Sequence, residues 1–340
     1  EIPLRLVGSE MCIRDRLNSI VKKIRLHKTY LLEVVHFWRL TVKYNATNNT
    51  DEDIEKMQYT LSRETHTLEK GMSMRYPRKG FGQQKAEKLI NRLIKYIHLY
   101  GGIDDAFLEY PLMAIAKYIE FVKKDGTDLS RIEALYAELK KLSPISDYHC
   151  TAGVMIEKKD HILSLCNKDF KSLLESRHSI RYFTSERVSE NIINEALILA
   201  QRTPSACNRQ GWLTHVFRDE KSVNLIKWQG GSRGFEDEIK CSILVTANLK
   251  AFLSHEIHQA YIDGGLYAMN LINALHSLGL GTIPLSCGFN YSRLKQLSSF
   301  SIPENEVPIV IIGIGNLPES FKVAVSERKP IFKTNTNHDK

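Results

Sequence analysis

No apolar run in this sequence approaches the roughly 20 residues that a bilayer-crossing helix needs. The longest, residues 307–314, is short and carries Pro308, so it reads as a buried strand. Cysteine is scarce: Cys12, Cys150, Cys166, Cys207, Cys241 and Cys287 form no CxxC pair and show no zinc-ligand spacing. That excludes a disulfide framework or a zinc ribbon and fits reduced, mostly buried thiols in a cytoplasmic chain. Charge of one sign is also limited. The excess of +8 is spread over 340 residues and is not interleaved with aromatics on one stripe, which sets nucleic-acid binding aside. The start of the chain has neither the apolar core nor the cleavage site of a signal peptide. Residues 6–16 resemble translated sequencing-adapter DNA, so residues 1–16 are read as a non-native leader. Internal repeats and low-complexity tracts are absent.

Residues 17–145 carry helical periodicity. Leu129, Ile132, Leu135, Leu139 and Leu142 recur at spacings of three and four, as do Leu89, Leu93, Ile94 and Ile97 before the stop at Gly101 and Gly102. Ile115, Ile119 and Val122 line a third helix, ended by Asp125 and Gly126, and residues 45–53 are a polar break. Within this region lie His66, Lys70 and a basic, glycine-bearing stretch from Pro77 to Gly82. A surface loop is the favoured reading there, and a lid or anion contact near a ligand the other. Pro144 marks a boundary, after which helices and strands mix over residues 146–332. Ser189 reads as the cap of a helix ending before Pro204, residues 213–217 and 242–247 as strands, residues 263–278 as a long helix, and residues 307–315 as the central strand. Residues 333–340 read as a tail.

Three polar clusters stand far apart in the second region: Arg177-His178-Ser179-Ile180-Arg181, Pro204-Ser205-Ala206-Cys207-Asn208-Arg209-Gln210 and Ser326-Glu327-Arg328-Lys329-Pro330. A phosphate dianion favours arginine, whose planar fork donates two parallel charge-assisted hydrogen bonds. Arg177 and Arg328 are the candidates, with Ser179 as a neutral donor. In an extended stretch, positions 177, 179 and 181 share a face. A cation near N1 and the C2 carbonyl of a flavin stabilises its reduced form, a part for Arg181. Asn208 and Gln210 carry amides that donate and accept at once, as a pyrimidine edge requires. Cys207 and Cys287 read as structural thiols, since no second cysteine stands in a resolving position. His255 and His258 beside Glu256 lack a third ligand, so no metal site is expected.

These clusters, with Gly279-Leu280-Gly281 between them, resemble the nitroreductase family of FMN enzymes in order and separation over roughly residues 165–332. The resemblance implies an α+β fold, a central mostly antiparallel sheet flanked by helices, preceded here by an all-α region outside the minimal fold. It implies a homodimer with FMN at the subunit interface and NADH or NADPH as reductant. Carried over by position, Arg177, His178, Ser179, Arg181, Pro204, Ser205, Asn208, Gln210, Gly281 and Arg328 become the cofactor-binding set. Pro284 and Leu285 are placed beside the ring, where the acidic residue usual in the family is missing. The implied chemistry is ping-pong hydride transfer through flavin N5 to a nitroaromatic, quinone or activated alkene, with no catalytic side chain required. A flavin-dependent dehydrogenase of a metabolite or peptide, and a non-catalytic flavin-binding scaffold with a helical docking module, are the alternatives.

Overall fold

The structure, a computed structural model, describes residues 4–44, 53–101, 105–143, 151–253 and 256–338. Five helices come first: α1 (Leu4–Tyr44), α2 (Ile54–Met72), α3 (Gln83–Tyr100), α4 (Asp105–Lys123) and α5 (Ser130–Leu142). The threefold and fourfold apolar spacing acts as expected. Leu89, Ile90, Leu93, Ile97, Ile115, Ile119, Val122, Ile132 and Leu139 turn into one core with Met57, Leu61, Leu68 and Met72 of α2. Gly101, with φ of 63°, ends α3 in a left-handed cap that L-residues adopt only at a cost. By contrast, the described apolar side chains of α1, among them Ile20, Ile24, Leu31 and Trp38, are exposed. The polar break falls mostly outside the described residues, as does the boundary at Pro144. Leader residues 1–3 are also outside them, while α1 runs without interruption through residue 16.

The second region contains β1 (Val154–Lys158), α6 (Lys159–Leu165), α7 (Phe170–Ser176), α8 (Glu190–Ala200), β2 (Trp212–Arg218), α9 (Asp219–Gln229), β3 (Cys241–Asn248), α10 (Gln259–Ser277), β4 (Leu280–Ser286), β5 (Glu306–Asn316) and β6 (Ser320–Ala324). Four strands form a sheet in the order β2-β3-β5-β4, every neighbouring pair antiparallel. β1 and β6 pair separately, also antiparallel. The apolar strand β5 lies inside the sheet, and β3 beside it is buried over seven of its eight residues, as strands covered on both faces must be. α8 and α10 pack on one face around Ile193, Ala196, Leu271 and Leu275, with Ile243 and Ile312 beneath them. α9 and the 180–183 stretch cover the other through Leu225, Ile226, Tyr182 and Phe183.

Two sequence expectations shift. The long helix begins at Gln259, not at 263, because no breaker precedes Asp263 and its first turn packs Ala260 inward. Ser189 occupies the N-cap of α8, yet its hydroxyl accepts no hydrogen bond there, so Glu190 in the first turn supplies the favourable charge instead.

The helical region is not a separate appendage. Glu69 of α2 is fully buried and accepts hydrogen bonds from the Gly153 N–H (2.8 Å), just before β1, from the Ser326 N–H (3.3 Å), just after β6, and from the Tyr110 hydroxyl of α4. One carboxylate thus ties two helices to one end of the β1–β6 pair, where Val154 stands opposite Ala324.

Candidate functional site

A pocket of about 440 Å³ opens where α2 meets the β4 edge of the sheet and the chain leaving β6. Arg177, His178, Ser179 and Arg181 all line it. The local cause is a short extended run after α7. Ser179 bridges Thr282 of β4, the Ile180 N–H donates to the Thr282 carbonyl (2.9 Å), and Ile180 itself is buried in the core. Pro284 and Leu285 of β4 form another wall, and Ser326 and Arg328 a third. Two features of the sequence are therefore joined by tertiary structure: the first and third polar clusters, about 150 residues apart, face one volume.

Its electrostatics are those of an anion site. Burial lowers the pKa of Arg177, and the nearby Arg328 charge lowers it further, so the two guanidinium groups repel one another across the pocket. Arg181 is 3% exposed; burial brings it down to about 10, opposed by the Glu69 charge. Its Nη1 donates to the Ser73 hydroxyl, just after α2, at 2.9 Å, while its buried Nε has no partner. An orphaned guanidinium N–H in an apolar setting costs about 1–3 kcal/mol unless a ligand takes it. The Thr282 hydroxyl, equally buried, is orphaned as well. His66 and His178 also line the pocket. Burial is the first cause lowering both, and neighbouring cations add to it: Arg181 and Lys70 for His66, Arg177 and Arg328 for His178, where Glu157 opposes. Both imidazoles are therefore favoured neutral, and the positive charge comes from the arginines and from Lys70 of α2.

The other expected residues lie elsewhere in the chain. Pro204, Ser205, Asn208 and Gln210 sit in the loop from α8 to β2, at the sheet edge opposite β4, and none of them lines the pocket. Three strand spacings, roughly 14 Å, separate β2 from β4. Gly281 is buried behind the pocket, where a Cβ would meet Leu317, Phe183 and Ile180. Cys287 is buried in the core and Cys207 is exposed on the α8–β2 loop; neither lines the pocket. The loop is pinned at several points. Cys207, Asn208 and Gln210 all adopt positive φ, held by the Ser205 hydroxyl accepting from the Gln210 N–H (2.9 Å), Asp263 of α10 accepting from the Ala206 N–H (3.1 Å), and a forked Arg209–Glu256 pair at 2.7 and 2.8 Å. Glu256 is thus engaged by Arg209, and His255 lies outside the described residues.

His66, Lys70, Phe235, Ile283, Ala324 and Val325 line the pocket without having been singled out for it. The 66–70 stretch was read mainly as a helix end before a surface loop; it proves to be the last two turns of α2, facing inward on the β4 edge. The signal that could have found it is Glu69, one charge on the face of α2 that carries Leu61, Leu68 and Met72.

A family model, "Nitroreductase family", matches residues 174–316, which hold the first two polar clusters and the whole four-stranded sheet. Residues 174–316 are a nitroreductase domain. The nitroreductase match leaves residues 4–142, the helical region, outside it. Among curated proteins, the chain is similar to YodC of Bacillus subtilis (strain 168), assigned by name to the NAD(P)H nitroreductases, at 28% identity over 201 residues, 48% of this chain and 96% of that one. It is similar to human iodotyrosine deiodinase 1 at 23% over 248 residues, 61% of this chain and 81% of that one. Among solved structures, a nitroreductase family protein from Streptococcus pneumoniae TIGR4 aligns with a TM-score of 0.43 at 23% identity, covering 50% of this chain and all of that one. One from Exiguobacterium sibiricum 255-15, described as a nitroreductase in complex with FMN, aligns at 0.41 and 20%, covering 50% and 97%.

Proposed function

We propose that this chain is an FMN-dependent NAD(P)H oxidoreductase whose cofactor sits in the pocket between α2, β4 and the segment after β6. The observation that carries the proposal is the buried Arg181 with an unpartnered Nε, in one volume with the facing pair Arg177 and Arg328. Bound FMN would supply two-electron hydride chemistry between a reduced pyridine nucleotide and an electron-poor acceptor. The residues present suit that group. Arg177 and Arg328 would take the phosphate, relieving their mutual repulsion, with Ser179 adding a neutral donor. Arg181, anchored on Ser73, would face the pyrimidine side, its position fixed before any ligand arrives. Leu285 and the backbone of Pro284 would flank the ring and exclude water. The name borne by the Bacillus relative supports the reading.

The second polar cluster enters through a partner subunit. Asn208 and Gln210 are exposed polar side chains on a strained loop that does not line the Arg181 pocket of its own chain. Beside them, α8 and α10 expose Ile198, Leu199, Ile262, Leu266 and Met269, apolar side chains of the kind an interface covers. A twofold partner docked on that face would bring the Ser205–Gln210 loop of one chain to the Arg181 pocket of the other.

Anaerobic titration of FMN-loaded protein with NADH and NADPH tests the reading through the visible flavin absorbance. Bleaching by either, and recovery on adding a nitroaromatic, quinone, activated alkene or iodinated phenol, is the expected result; the last probe reflects the deiodinase relatives. Arg328→Ala should weaken FMN binding about 10- to 100-fold, the loss of one charge-assisted contact. Protein that stays colourless with excess FMN would sink the proposal.

A further inference from the structure

A second cavity is larger than the one just described. About 1120 Å³ lies on the other side of Lys70, between the loop from α2 to α3 and the loop after α9. Arg78, Lys79, Lys85 and Arg233 line it together with Lys70, against a single carboxylate, Glu236. Glu236 is already occupied, accepting from the N–H groups of Gly234 and Phe235. Among the described residues, Arg78, Lys79, Lys85 and Arg233 have no carboxylate within ion-pair distance. The N-terminus of α3 faces the same space. Gly82 caps it with φ of 77° and no side chain, and its carbonyl takes the N–H groups of Lys85 and Ala86, which leaves those of Gln83 and Gln84 without a protein acceptor. Four cations without an ion-pair partner and free helix N–H groups around one half-open cavity suit a phosphate.

The two cavities are one side chain apart. Lys70 lines both; its ammonium donates to the Gly231 carbonyl and lies 5.4 Å from the Phe235 ring centre, and Phe235 in turn lines the first pocket. We propose that the second cavity binds the phosphate-bearing tail of a ligand whose reacting end lies in the first. The chemistry recognised is a phosphate or pyrophosphate ester on an elongated small molecule. Two sources fit it: the pyrophosphate of a pyridine dinucleotide acting as reductant, and a phosphorylated acceptor. The helical region then has a function that a bare nitroreductase domain lacks, since Arg78, Lys79 and Lys85 all belong to it. The inference rests on the reading of the first pocket as the flavin site.

The test is calorimetric titration of FMN-loaded protein with inorganic pyrophosphate, the first pocket being filled. One site per chain is expected, weakened at least tenfold in Arg78→Ala/Lys79→Ala/Arg233→Ala. These side chains are exposed and unpaired, so the variant should keep its circular dichroism and FMN content. Stopped-flow bleaching separates the sources. If the reductant supplies the phosphate, pyrophosphate competes with NADH or NADPH and the variant needs at least tenfold more of either, while reduced nicotinamide mononucleotide is affected less. If the acceptor supplies it, bleaching is unchanged but pyrophosphate still binds in the wild type and not in the variant. Absence of pyrophosphate binding, or equal binding by the variant, overturns the proposal. Should the protein refuse FMN, the flavin reading fails by itself, and titration in an Arg177→Ala/Arg328→Ala background still decides the second cavity.

Discussion

Glu69 concentrates the polar organisation of the molecule in one side chain. Burial raises its pKa, while the Tyr110 hydroxyl and the N–H groups of Gly153 and Ser326 hold it down, with the Arg181 charge helping. A carboxylate with three donors and a nearby guanidinium is satisfied; without any one of them it would be a costly buried charge. His276 on α10 shows the opposite case. Burial, then the Arg177 charge, bring it down from 6.5 to about 4, and its Nε2 lies 2.9 Å from the Ser176 hydroxyl. A histidine depressed on folding contributes stability above its unfolded pKa and loses it as pH falls through its folded one. The unfolding free energy should therefore drop between about pH 6.5 and pH 4, by on the order of 3 kcal/mol from this group, at roughly 1.4 kcal/mol per pH unit. Denaturant titrations of wild type and His276→Gln across that window measure it; equal slopes for the two would refute the assignment.

At the scale of elements, α2 matters most, since it belongs to the helical core on one side and to both cavities on the other. Gly71 shows how closely it is held. A Cβ there would lie 2.2 Å from the Phe81 ring, which packs edge-on against Tyr118. Alanine ordinarily stabilises a helix interior by about 1 kcal/mol over glycine. Here overpacking should reverse the sign, and Gly71→Ala should lose about 1–3 kcal/mol. It should also displace the loop that carries Arg78 and Lys79, weakening pyrophosphate binding. A thermal melt of the variant at or above the wild-type midpoint would show that the ring yields freely.

For the whole molecule, the decisive quantity is the apolar face of α8 and α10. Leu266 is 49% exposed in the single chain, so its replacement disturbs no intrachain core. If the proposed twofold pairing holds, Leu266→Asp yields monomers in sedimentation velocity and lowers FMN occupancy severalfold, because each proposed site then lacks the Ser205–Gln210 loop. A variant that stays dimeric, or a monomer that keeps its full complement of FMN, would contradict the shared site.

Much of this was legible along the chain. Helical spacing located α3, α4 and α5, β-branched runs located β3 and β5, and the Arg177–Arg181 and Ser326–Arg328 clusters pointed to one anion pocket. The Ser205–Gln210 loop read equally well as part of that pocket, yet in a single chain it stands on the opposite sheet edge. Strand order is fixed by which faces bury each other, and no local residue pattern encodes it.

The sequence by itself determined the elements and the chemical kinds of side chain available: periodicity sets which face of a helix or strand turns inward, and guanidinium groups bind phosphate in any fold. Only the tertiary structure decided that α2 closes the pocket through Lys70 and His66, and that a second cationic cavity adjoins it. Those contacts join residues more than 100 positions apart, and their distances follow from the packing of two cores against each other.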